Sequence, residues 1–189
     1  LCPKCPRQAL NHGKVGGFMS DELFNILLDE ARKYNLPSMS YGHGCEPLMR
    51  KDIGKLIRKS REARIIYRKF STNGYLLTRK LSKELIESGL TVINFSLDAA
   101  SESTYSKLRI GGDFNKVVDN INVFLDEKKK SGKSYPRVRV SFIISEENKN
   151  EQQAFYDMWR KKVNVISFQK CYDFNLSHTK NDRENEYHK

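Results

Sequence analysis

The chain has 189 residues, 38% hydrophobic, 30% charged and 11% aromatic, which suffices for one globular domain with its own core and excludes wholesale disorder. No apolar run approaches the roughly 18 residues that a membrane-spanning helix needs. Lys and Arg number 34 against 23 Asp and Glu, so the formal net charge is +11; such a balance favours nucleic acid, phosphorylated ligands or an anionic surface as partners without choosing among them.

Taken in chain order, the pattern alternates helix and strand. Ser20 is a cap residue before a helix whose apolar face is read as Leu23, Leu27, Ala31 and Tyr34. Leu36-Pro37 ends it, residues 38–41 form a short strand, and the glycine-rich Gly42-His43-Gly44 follows. Asp52 opens a second helix carrying Ile53, Leu56 and Ile57. Residues 65–71 read as a strand stopped at Asn73-Gly74. Leu81, Leu85 and Ile86 mark a third helix closed by Gly89. Residues 91–97 form a β-branched and aromatic strand, and 113–130 a long helix with Val117, Ile121, Phe124 and Leu125 inward. A strand over 137–144, a helix over 150–161 and a strand over 163–168 complete the pattern. Trp159, Phe155 and Met158 read as helix core. Five strands separated by helices are most simply joined as parallel βα units.

The short polar motifs follow strand ends. Cys2-Pro3-Lys4-Cys5 follows a presumed strand lying mostly before Leu1. Residues 42–47 (GHGCEP), 71–74 (STNG) and 96–98 (SLD) follow the next three strands. In a parallel α/β sheet all carboxyl ends share one side, where ligands bind, so motifs far apart in sequence converge. The glycine loop matches neither the dinucleotide pattern GxGxxG nor the phosphate-binding GxxxxGK[ST]. Four cysteines (Cys2, Cys5, Cys45 and Cys171) are too few for a disulfide scaffold. The CxxC pair suits a redox couple, a zinc site completed by Cys45, Cys171 or His43, or an iron–sulfur cluster, and its spacing does not choose.

Together these motifs resemble the radical S-adenosylmethionine (radical SAM) family, especially the group with a C-terminal SPASM or Twitch extension. Cys2-Pro3-Lys4-Cys5-Pro6-Arg7 is similar to the second half of the family's CxxxCxxC motif, whose first cysteine would precede Leu1. Gly44-Cys45-Glu46-Pro47 resembles its GGEP loop with a cysteine at the second glycine, Thr72-Asn73-Gly74 its TNG, and residues 93–98 its fourth-strand motif. Tyr105, Arg109, Gly111-Gly112-Asp113-Phe114 and Asn148 continue the likeness, which covers about 1–168.

The resemblance implies an α/β fold, a partial (β/α)6 TIM-type barrel of parallel strands open at one side. Its domain would span 1–174, with the first strand truncated, and 175–189 would be a polar tail or the start of an extension. It implies a 4Fe–4S cluster with Cys2 and Cys5 as thiolate ligands, and S-adenosyl-L-methionine cleaved there to a 5′-deoxyadenosyl radical that takes hydrogen from a peptide, protein or small-molecule substrate. Glu46 would accept from the cofactor's ammonium group, Gly44 and Cys45 would offer backbone, and Arg109 would hold its carboxylate. Ser96 would bond its ribose or carboxylate, with Asn73 and Asp98 near the same pocket. Cys45, His43 and Cys171 have packing or inert readings beside any functional one. No residue is assigned a catalytic role. An electron donor such as flavodoxin or ferredoxin is the implied redox partner, no membrane partner is expected, and the expected location is cytoplasmic. Two other readings stand beside this one: a radical SAM enzyme acting on RNA, motivated by the +11 charge, and a non-catalytic zinc-binding or interaction module.

Overall fold

The computed structural model describes residues 17–42 and 44–170. Helix α1 spans Asp21–Lys33, and Ser20 caps it by accepting a hydrogen bond from the Leu23 amide at 3.2 Å. Strand β1 (Ser38–Ser40), helix α2 (Ile53–Glu62), strand β2 (Tyr67–Thr72) and helix α3 (Arg79–Glu87) follow. Strand β3 (Val92–Ser96) leads into the short α4 (Glu102–Leu108) and the long α5 (Phe114–Ser131). Strand β4 (Arg137–Ile144), helix α6 (Gln152–Trp159) and strand β5 (Val165–Lys170) close the described chain.

The five strands are parallel and lie in sequence order, β1-β2-β3-β4-β5. Crossovers that all wind in the same right-handed sense place every helix on one face of the sheet and leave the other concave. This is the α/β architecture of a partial TIM-type barrel, open at one side. The sixth strand expected before Leu1, and the tail at 175–189, lie outside the described residues.

The sheet's covered face forms the core. Phe70, Ile93, Phe95, Val138, Val140 and Phe142 are essentially fully buried there. The Phe95 ring meets Phe124 of α5 edge-on at 5.7 Å, and Phe142 meets Phe155 of α6 at 4.9 Å, both favourable aromatic geometries. Val117, Ile121 and Phe124 face inward from α5, and Trp159 is buried at the end of α6.

Two expectations are corrected. The buried stripe of α1 is Phe24, Leu28 and Ala31, while Leu23, Leu27 and Tyr34 are 48, 40 and 62% exposed. Both stripes keep the three- and four-residue steps of a helix, and the one that is buried is the one that meets the core cluster beneath the helix. Helix α4 is an additional element. It has only seven residues and is rich in serine and threonine, so periodicity gave no sign of it; its local signal is the Ser101 cap, which accepts from the Thr104 amide at 3.3 Å.

Candidate functional site at the carboxyl ends of the strands

The loop after β1 is pulled tight around Gly42. Its φ is +85°, and a Cβ there would lie 2.9 Å from the Cys45 sulfur and 3.0 Å from Pro47 Cγ. Only glycine satisfies both the left-handed backbone and the close approach. Gly44 and Cys45 are exposed, and Cys45 is a free thiol. His43 lies outside the described residues.

Glu46 is fixed between the ends of β1 and β2. Its Oε1 accepts from the Thr72 hydroxyl at 2.6 Å and from the Leu48 amide at 3.1 Å, capping the single helical turn Pro47–Met49. Its Oε2 accepts from the Asn73 amide at 2.9 Å. A carboxylate offers about four acceptor positions, so three internal bonds orient the group and leave capacity for one more donor. Thr72 also accepts from the Gly74 amide at 3.0 Å, and the Asn73 side chain accepts from the Tyr75 amide at 2.8 Å. The Thr72-Asn73-Gly74 turn is thus both a strand stop and the cradle of Glu46.

A second cluster joins β3 to β4. Asp98, two residues past β3, has φ +61°, a left-handed conformation that aspartate tolerates better than most residues. Its Oδ1 accepts from the Ile143 amide at 2.8 Å, and its Oδ2 pairs with the Arg109 guanidinium. Arg109 also reaches the Ser96 carbonyl at 3.5 Å. Asn148 donates to the Asp98 and Ile143 carbonyls, each at 2.8 Å, and accepts from the Ser145 amide at 2.7 Å. Behind it, Glu151 accepts from Thr104 at 2.6 Å and from the Ala100 amide at 2.7 Å, and from Ser101. Burial alone would raise the Glu151 carboxyl, but these hydrogen bonds outweigh it and hold the group below the usual glutamate range. Tyr105 is buried under the same loop, where burial pushes its hydroxyl pKa up.

The two clusters adjoin. Register places Thr72 opposite Phe95, so Asn73 and Ser96 leave the sheet at one level, a strand spacing of about 4.8 Å apart. Glu46, Asn73, Ser96, Asp98 and Arg109 therefore share one edge of the sheet, with Gly44 and Cys45 in the loop beside Glu46. Cys2, Cys5 and Cys171 lie outside the described residues. Among the described residues no group of three His, Cys, Asp or Glu side chains is placed to hold a metal, and no helix is long and apolar enough to cross a membrane.

Sequence reasoning did not find the roles of Thr72 and Asn148, which orient site residues through contacts more than 20 residues away. It also passed over the concave face. There the Asn94 amide donates to Ser71 at 3.1 Å and Ser141 at 3.2 Å, and Ser141 lies 3.3 Å from Ser96. The available signal was the polar alternation in YRKFST and RVRVS, unusual for parallel strands packed on both faces.

Comparison with known proteins agrees with this geometry. The model of the radical SAM superfamily matches residues 2–158. The chain is 31% identical over 109 residues to a probable GTP 3′,8-cyclase of Methanocaldococcus jannaschii, covering 58% of this chain and 36% of the relative. It is 29% identical over 151 residues to the Fe-coproporphyrin III synthase of Methanosarcina barkeri, covering 79% of this chain and 36% of that protein. Among solved structures, anSMEcpe with bound AdoMet and the Kp18Cys peptide superposes with a TM-score of 0.73 at 20% identity, over 91% of this chain and 48% of that one. The chain spans about half or less of the length of these proteins.

Proposed function

Since the chain belongs to the radical SAM superfamily, we propose that the protein containing it cleaves S-adenosylmethionine reductively and abstracts a hydrogen atom from a small-molecule substrate. The reading is carried by one observation: an oriented carboxylate, Glu46, sits one strand away from an oriented guanidinium, Arg109, at the carboxyl edge of the sheet. That pair complements the ammonium and carboxylate groups of a bound amino acid moiety. The donor set fits the cofactors, because Cys2 and Cys5 offer soft thiolates suited to iron.

When bound, the 4Fe–4S cluster supplies the electron that splits the cofactor into methionine and a 5′-deoxyadenosyl radical. The protein's part is placement. Glu46 accepts from the cofactor's ammonium group with its remaining lone pair, Arg109 holds the carboxylate, and Asp98 positions Arg109. Ser96 bonds the ribose or carboxylate, Gly44 and Cys45 allow close backbone approach, and the Asn73 amide keeps Glu46 in place. An electron carrier of the flavodoxin or ferredoxin kind supplies the reducing equivalent. A small-molecule substrate is favoured over a peptide because the relatives named for GTP and coproporphyrin are 31 and 29% identical, against 20% for the peptide-bound structure.

The test is Glu46→Ala in the full-length reconstituted protein. Binding of S-adenosylmethionine should weaken by about tenfold or more, equivalent to about 1.4 kcal/mol, with iron content unchanged. Unchanged affinity would refute the role of Glu46.

A further inference from the structure

We propose that the concave face of the sheet binds the phosphate group of a phosphorylated small molecule, with Lys69, Arg137 and Arg139 as the anion-binding residues. The inference rests on the radical SAM reading, which puts the reacting centre at the carboxyl edge that borders this face, and it adds the substrate's chemical class.

The register defines the face. Lys69, Val92 and Arg137 form one row across β2, β3 and β4, and Ser71, Asn94 and Arg139 form the next. The observed bonds from Asn94 to Ser71 and Ser141 confirm that these side chains share the face opposite the helices. Lys69, Arg137 and Arg139 are exposed, and among the described residues none of them has an ion-pair or side-chain hydrogen-bond partner. Lys69 only overlies the Tyr67 ring, at 5.5 Å. From β1 to β5 the residues that alternate onto this face include three cations and no aspartate or glutamate.

Two physical points follow. Parallel strands ordinarily bury apolar residues on both faces, so a polar, basic face is kept for a reason other than packing. Three like charges whose Cα atoms lie within about 12 Å of one another repel until an anion neutralises them, and the forked arginine donors match phosphate oxygens. Arg139 lies two residues, and Arg137 four, below the Ser141 level, or about 7 and 13 Å at strand rise. A substrate anchored there by its phosphate presents its other end to the strand-end site. Charge density favours phosphate over a single carboxylate.

The experiment titrates tripolyphosphate into the full-length, cluster-reconstituted protein at fixed ionic strength, with tricarballylate and a single-stranded RNA oligonucleotide as further arms. Arg139→Gln and Lys69→Gln should each weaken tripolyphosphate binding by about tenfold or more. Arg139→Lys should retain part of the affinity, and Lys129→Gln, on the far face of α5, should bind as wild type. An equal small loss in all variants would overturn the site. Tricarballylate binding as tightly as tripolyphosphate would overturn the phosphate assignment. RNA binding more tightly and losing affinity in the same variants would overturn the small-molecule assignment. Iron content and S-adenosylmethionine affinity, read on the same samples, report separately on the proposed function. Their absence in wild-type protein would refute that function while leaving anion binding intact.

Discussion

The same five strands present two chemically opposite faces. On the covered face Phe95, Val140 and Phe142 are fully buried beneath helices. One residue along each strand, Asn94, Arg139 and Ser141 carry amide, guanidinium and hydroxyl groups on the concave face. The period-2 geometry of a strand assigns stability to one set of positions and recognition to the other without extra elements. The carboxyl edge joins the two, because Thr72 is buried while its hydroxyl holds Glu46.

The sharpest test of that division is Phe95→Ala. It should cost about 3–5 kcal/mol in denaturant unfolding, as expected for a fully buried aromatic ring. Arg139→Gln on the neighbouring strand's open face should stay within about 0.5 kcal/mol of wild type. Similar losses for the two would break the contrast. Asp98→Ala probes the edge. It leaves the Ile143 amide without its acceptor and the Arg109 guanidinium without its carboxylate, and should lower stability by roughly 1–3 kcal/mol. It should also weaken S-adenosylmethionine binding, since Arg109 loses its orientation. A loss of stability without a loss of binding would confine Asp98 to the scaffold.

Glu151→Gln should have the smallest effect, and one that depends on pH. The folded-state pKa of Glu151 is lowered, so its carboxylate stabilises the fold fully above the ordinary glutamate value of 4.5. That contribution is lost as the pH falls through the depressed folded value. The stability gap between wild type and Glu151→Gln should therefore be open near neutrality and close in acid. A gap that is constant with pH would show that the hydrogen bonds, and not the charge, matter.

Much of the covered face was legible from sequence because its signals are local. Residues 113–130 show the inward stripe of Val117, Ile121 and Phe124, and Ser20 caps its helix as read, whereas Asp113, read as the first helical residue, is the cap of α5. The strand over 137–144 has the predicted bounds. Short motifs at strand ends likewise pointed to one edge. What escaped depends on distance or competition. Alternative apolar stripes on α1 differ only in what they meet. The bonds from Thr72 to Glu46 and from Ile143 to Asp98 span 26 and 45 residues, so no local pattern encodes them. Helix α4 is too short to show a period. Arg137 and Arg139 were visible as alternation but acquire meaning only once register sets them beside Lys69 and Asn94.

Incubating the full-length, anaerobically reconstituted and reduced protein with S-adenosylmethionine and measuring 5′-deoxyadenosine probes the radical chemistry itself. The account predicts that the nucleoside forms, and that its formation is lost on Cys5→Ala together with the iron. Protein that holds the cluster and binds the cofactor yet releases no 5′-deoxyadenosine, with or without a phosphorylated substrate, would contradict it.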